Sequence, residues 1–203
     1  MTTVYLQGTP VVYDTVGDGF PLLLLPGPPG VWEPTLALLG ELCRVITYTA
    51  PLPMPEGLGA VALVEALMQA LGLERCYVAS QVPSWPLALE VTLRCAHRVE
   101  GVVLVGTHTV EADVQQHLTT LVPRLPTVSV PTALLMTAEV RTTSPVVERL
   151  RTHLPRNTTQ VLAGPAASGD VQGLALHIGH AMSAFLVQCE RQRTLVRGAS
   201  FLL

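Results

Sequence analysis

Acyl transfer needs a side chain that attacks, an imidazole that takes its proton and an acid that orients the imidazole. This sequence carries polar residues of those types just after its predicted strands: Ser80, Gln81, Ser84, His108, Asp113 and Glu139. Ser80 or Ser84 with His108 and Glu139 would make an esterase-like site, and His108 follows a central strand, so its ring could face a cleft. Each of these residues also has a purely structural reading. His108 can be a solvated or hydrogen-bonded loop side chain, the two serines can be the small residues of a tight turn, and Glu139 can pair with Arg141 at the surface. Other chemistry has less support. His177 and His180 lie three apart on a predicted helix, but no further ligand has recognisable spacing, so no metal is expected. Cys43, Cys76, Cys95 and Cys189 form no C-x-x-C pair and read as reduced structural thiols. All twelve basic residues are arginine, which leaves no lysine for a Schiff base or a phosphate loop. No cofactor is implied.

The elements that must position these residues alternate along the chain. Val4 to Leu6 and Val11 to Val16 read as a hairpin with Gly8 and Pro10 in its turn, followed by a Gly17-Asp18-Gly19 turn. Strands are predicted at Leu22–Leu25, Val45–Tyr48, Cys76–Ala79, Gly101–Gly106, Ala133–Thr137 and Thr159–Leu162. Helices are predicted at Trp32–Leu42, Leu58–Leu71, Trp85–Cys95, Glu111–Val122 and Pro145–Leu154. A final helix, capped by Ser168 or Asp170, is predicted to end near Glu190. The clearest helical period is Val61, Val64, Met68 and Leu71, stopped by Gly72. This alternation predicts an α/β fold: a mostly parallel, doubly wound sheet with an N-terminal antiparallel hairpin and helices on both faces. Ligands bind such sheets at the carboxyl ends of the strands.

The chain of 203 residues is 49% hydrophobic and 13% charged, enough for one domain, assigned to residues 1–190, with a tail at 191–203. A mean hydropathy of +0.43 implies either a large core or apolar surface covered by another subunit. Together with the Phe201-Leu202-Leu203 end, it predicts a homodimer. The net charge of −3 gives no footprint for nucleic acid. The longest apolar runs are strand-sized, well short of the roughly 20 residues of a spanning helix, so no membrane partner is expected. Met1-Thr2-Thr3-Val4 opens no secretory signal, which predicts a cytoplasmic protein.

Three stretches carry a resemblance. Tyr77 to Glu90, followed by Arg98 to Thr107, resembles the strand, nucleophile elbow, helix and strand of the α/β-hydrolase fold family, the esterases, lipases and dehalogenase-like enzymes. Val130 to Glu139 is similar to the family's strand leading to its acid, and Leu22 to Gly27 to the strand beside its oxyanion hole. The likeness covers roughly residues 4 to 188, without the cap domain that many members carry. It implies a triad that this sequence does not have. The elbow tip falls on Val82, the acid near Val140 and Arg141, and the histidine on Ala167. The oxyanion His-Gly is replaced by Pro26-Gly27.

Ser80 and Ser84 keep the small residues that flank an elbow tip. A β-branched valine followed by Pro83 should nevertheless avoid positive φ. The resemblance therefore implies a hydrolase scaffold without its chemistry, acting as a binding or assembly module. Its cleft would be lined by Gly27, Pro28, Trp32, Gln81, Val82, Pro83 and His108 and open to a small apolar ligand. Two alternatives are a weak esterase using Ser80 or Ser84 with His108, and a small-molecule sensor using the old cleft.

Overall fold

The computed structural model describes residues 1–27, 32–54, 58–162 and 171–200. The chain opens with β1 (Thr2–Leu6) and β2 (Thr9–Val16), joined through Gln7 at φ 50° and Gly8 at φ 84°. Two successive positive φ values are what a two-residue hairpin turn of the right twist requires. Pro10 was expected in that turn but lies inside β2, opposite Tyr5. It is tolerated there because pairing of β2 with its other neighbour begins only at Val12, so no ladder partner on that side needs the missing N–H.

Strands and helices then alternate. The strands are β3 (Phe20–Leu24), β4 (Cys43–Thr49), β5 (Cys76–Gln81), β6 (Val99–Gly106), β7 (Thr132–Met136) and β8 (Asn157–Val161). The helices are α1 (Glu33–Gly40), α2 (Ala60–Ala70), α3 (Trp85–Arg94), α4 (Ala112–Leu121), α5 (Ala138–Thr143), α6 (Pro145–His153) and α7 (Val171–Ser200). A 3-10 turn over Val122–Thr127 follows α4. The eight strands form one sheet in the order β1-β2-β4-β3-β5-β6-β7-β8. The β1–β2 and β2–β4 pairs are antiparallel and the rest parallel.

Two corrections to the predicted elements concern helices. Ala138–Thr143, where no element was predicted, forms α5, whose N-cap Thr137 accepts a hydrogen bond from the Val140 N–H. The last helix does not stop near Glu190 but continues to Ser200. The proposed cap residues Ser168 and Asp170 and the Phe201-Leu202-Leu203 end lie outside the described residues.

The central strands are buried on both sides, which is why they read as unbroken apolar runs: Val102, Val103, Leu104 and Val105 are all fully buried. Their side chains divide by alternation. Leu23, Val78, Leu104 and Leu134 join the core under α2, α3, α4 and α6. Leu22, Leu24, Val103 and Leu135 join the core under α1 and α7. The site-bearing turn between β5 and α3 thus stands on strands fixed from both faces.

Candidate functional site

The turn after β5 is an elbow in position but not in conformation. Val82 is 1% exposed and belongs to the core beneath α2 and α3. Gln7 is the only non-glycine residue with positive φ among the described residues, so Val82 takes ordinary backbone geometry, as its β-branch and Pro83 predict. The Val82–Pro83 peptide is cis. The turn is closed by the Ser84 N–H donating to the Gln81 carbonyl at 2.7 Å, and Pro86 occupies the first turn of α3, where its missing N–H costs nothing.

The small residues around the tip are held in place. Ser84 donates its hydroxyl proton to the Pro26 carbonyl, tying the elbow to the end of β3. Ser80 is fully buried, and its hydroxyl has no partner among the described residues. The Gln81 amide is also fully buried without one, beside Gly27, where a Cβ would sit 3.7 Å from Gln81 Oε1. Trp85 fills the space behind the elbow, its indole N–H donating to the Val105 carbonyl at 3.1 Å. Trp32 is buried on the other side of the sheet, in the core of α1 and α7, with its N–H directed at the Leu25 carbonyl at 3.4 Å.

The position of the triad acid is filled by packing. Val140 is fully buried in the core behind β6, while Arg141 and Glu139 point outward on α5. His108 is exposed and pairs with the neighbouring Thr107 hydroxyl at 3.2 Å. Ala167 and Pro28 lie outside the described residues. Among the described residues no hydrogen bond or ion pair joins Ser84, His108 and Glu139 to one another.

A different imidazole, that of His117, lines a cleft together with Ser84. A cleft of about 290 Å³ beside the elbow is lined by Pro83, Ser84, Glu90, Asp113 and His117, with Ala60 and Leu87 among its apolar walls. His117 Nε2 lies 3.0 Å from Glu90 Oε1, across α3 and α4. Of the residues expected to line a cleft, Pro83 takes part; Gln81 and Val82 are sealed beneath it. Sequence reasoning missed His117 and Glu90, since they are 27 residues apart and neither lies at a strand end.

The thiols offer no replacement nucleophile. All four cysteines are free and buried. Burial pushes the Cys43 and Cys76 thiols up to about 12, and that of Cys189 up to about 11. A thiol so far from its thiolate is unreactive at neutral pH. His177 and His180 lie beside Gln160 and Leu162 in a separate shallow pocket, and His180 Nδ1 is 2.9 Å from the Leu176 carbonyl. No group of three or more histidine, cysteine or acidic residues is placed to hold a metal among the described residues.

The strand order, the elbow after β5 and the helices on both faces define an α/β-hydrolase fold. Solved structures of this fold superpose along most of the chain. A bacterial membrane phospholipase A matches with a TM-score of 0.72 at 15% identity, over 93% of this chain and 86% of its own. The enol-lactonase from Burkholderia xenovorans LB400 matches with a TM-score of 0.70 at 16% identity, over 92% and 100%. A bromoperoxidase from Bacillus anthracis matches with a TM-score of 0.69 at 13% identity, over 91% and 99%. No family model matches the sequence, and no curated protein matches it. The likeness is one of architecture.

Proposed function

We propose that this protein is a pseudohydrolase: an α/β-hydrolase scaffold used as a binding or assembly module, without acyl-transfer chemistry. The observation that carries this reading is Val82, an apolar side chain 1% exposed at the position where the fold presents its nucleophile. An isopropyl group cannot attack a carbonyl, and its burial leaves no room for a substrate to reach it. Val140 in the core and Arg141 outside it support the same reading, because neither can orient an imidazole. Removing a whole triad costs on the order of 10⁶ in rate, which leaves only binding and backbone polarisation.

A second reading has one observation in its favour, namely that Ser84, His117 and Glu90 share a cleft. A weak esterase could be built from a hydroxyl, an imidazole and a carboxylate. Against it, the Ser84 hydroxyl already donates to the Pro26 carbonyl. Short-chain nitrophenyl esters assayed with purified protein separate the two. The expected result is hydrolysis no faster in the native chain than in Ser84→Ala or His117→Ala. Turnover abolished by either substitution would replace the binding reading with the esterase.

The same reading includes pairing with a second copy of the chain in the cytoplasm. Four free buried thiols fit a reducing compartment. No helix among the described residues is long and apolar enough to cross a membrane. Support for pairing comes from the hydropathy and from an open apolar groove of about 530 Å³ between Phe20, Val187 and Leu195, the last 74% exposed. Light scattering at high micromolar concentration is expected to give the mass of a dimer, and a monomer there would remove this part of the proposal.

A further inference from the structure

The elbow lies at the carboxyl ends of the strands. At their amino ends, β5, β6 and β7 open onto a second cavity beneath α7, of about 480 Å³, within the usual range for a small-molecule site. Its charged lining is mostly basic, three arginines to one glutamate. Arg75 enters just before β5, Arg156 just before β8 and Arg193 from α7. Glu100 of β6 pairs with Arg75 and lies 3.9 Å from Arg193. Glu190 sits next to this group, bonded to Arg193 at 3.1 Å and to the Tyr77 hydroxyl at 2.8 Å.

Three guanidinium groups thus face two carboxylates. Glu100 is shared between Arg75 and Arg193, and Glu190 pairs with Arg193, so both arginines are oriented by carboxylates. Arg156 forms no ion pair among the described residues; its guanidinium is placed by a 3.2 Å bond to the Ser129 carbonyl. That bond uses one of its five donors, and Arg156 lines the cavity, so it has further N–H groups to offer a ligand there. The Tyr77 ring, Val99, Val130 and Pro131 make an apolar part of the wall, beside the polar His97, Ser129 and Gln192.

An uncompensated arginine at the mouth of a half-apolar cavity selects for a small ligand with both characters. We propose that this cavity is a binding site for a small organic oxyanion, a carboxylate or a phosphate ester with an unsaturated or aliphatic body. The oxyanion binds Arg156, with the spare N–H groups of Arg75 or Arg193 as second donors. The carbon body lies against Tyr77 and Pro131. Charge-assisted, forked hydrogen bonding to the anion supplies orientation, and the apolar wall distinguishes the ligand from inorganic ions. The site is at the opposite end of the sheet from the elbow, so it stands or falls independently of whether the elbow is catalytic.

Calorimetric titration of the full chain with phenyl phosphate, benzoate and inorganic phosphate tests the assignment. Phenyl phosphate or benzoate is expected to bind saturably, with affinity falling as salt is raised. Arg156→Gln, at an exposed position that leaves the core untouched, is expected to weaken that binding about tenfold or more. Arg141→Gln, on the distant α5 surface, is expected to leave it unchanged. The proposal is overturned if neither organic anion binds, or if Arg156→Gln binds them as tightly as the native chain. It is also overturned if inorganic phosphate binds as tightly as phenyl phosphate, because the apolar wall would then contribute nothing.

Discussion

Replacing Trp85 by alanine is expected to lower the unfolding free energy by about 3–5 kcal/mol, the range for deleting a fully buried aromatic side chain. Trp85 is 0% exposed and stands at the first turn of α3, directly behind the elbow. Its ring packs so closely on β6 that a Cβ at Gly106 would meet it at 2.9 Å, and Val140 of α5 closes the same contact at 3.1 Å. The loss therefore has two parts, a cavity between α3, β6 and α5 and a Val105 carbonyl left without its indole donor. Urea titration followed by circular dichroism reads the sum as a lower midpoint at unchanged slope. Trp85→Phe separates the parts, since it keeps most of the volume and removes only the indole bond to a carbonyl that still accepts from the Val82 N–H, at a cost of about 1 kcal/mol. A midpoint in Trp85→Ala within error of the native one would mean that the elbow is not supported by this packing.

The second large effect is expected at the turn between β2 and β3. Gly17 sits at φ 78°, and a Cβ there would lie 2.2 Å from the backbone oxygens of both Gly40 and Cys43. No side-chain adjustment relieves that contact, because both atoms are main chain. Alanine at this position must change the backbone of the turn, of the end of α1, or of the start of β4. A cost of roughly 3 kcal/mol or more follows from the positive φ and the overpacking together. Gly8→Ala is the internal comparison: it has φ 84° but nothing within 4 Å of a Cβ. Its loss should be smaller, confined to the backbone strain. Equal losses at the two positions would show that the close approach at Gly17 is relieved at no cost.

How much of this was legible beforehand differs between fold and site. The strands were readable because burial on both faces leaves no polar alternation; the run from Val102 to Val105 could belong to little else. The tip of the elbow was readable because Ser80 and Ser84 bracket it, and the consequence for Val82 followed from the sterics of valine followed by proline. The helix α5 was not readable. Six residues make barely one and a half turns, and only Val140 among them is buried. The end of α7 was hidden because Glu190, Arg191 and Arg193 look like a solvated terminus until Glu190 and Arg193 are seen to reach Tyr77 and Glu100. The cleft pair His117 and Glu90 and the basic cavity share one reason for escaping notice. Their members come from separate elements, brought together by tertiary packing and by no local spacing.

The relaxed turn at Val82 also bears on what a nucleophile there would require. An active elbow holds its attacking residue in a conformation that costs free energy, and that cost is sustained only while activity is selected. Here the tip has sunk into the core and Pro83 fixes the φ that follows it. A serine placed at residue 82 would not become a nucleophile; its hydroxyl would be buried among α2 and α3 without a partner. Installing a reactive tip would take a change at Pro83, a re-aimed backbone and an acid where Val140 is packed.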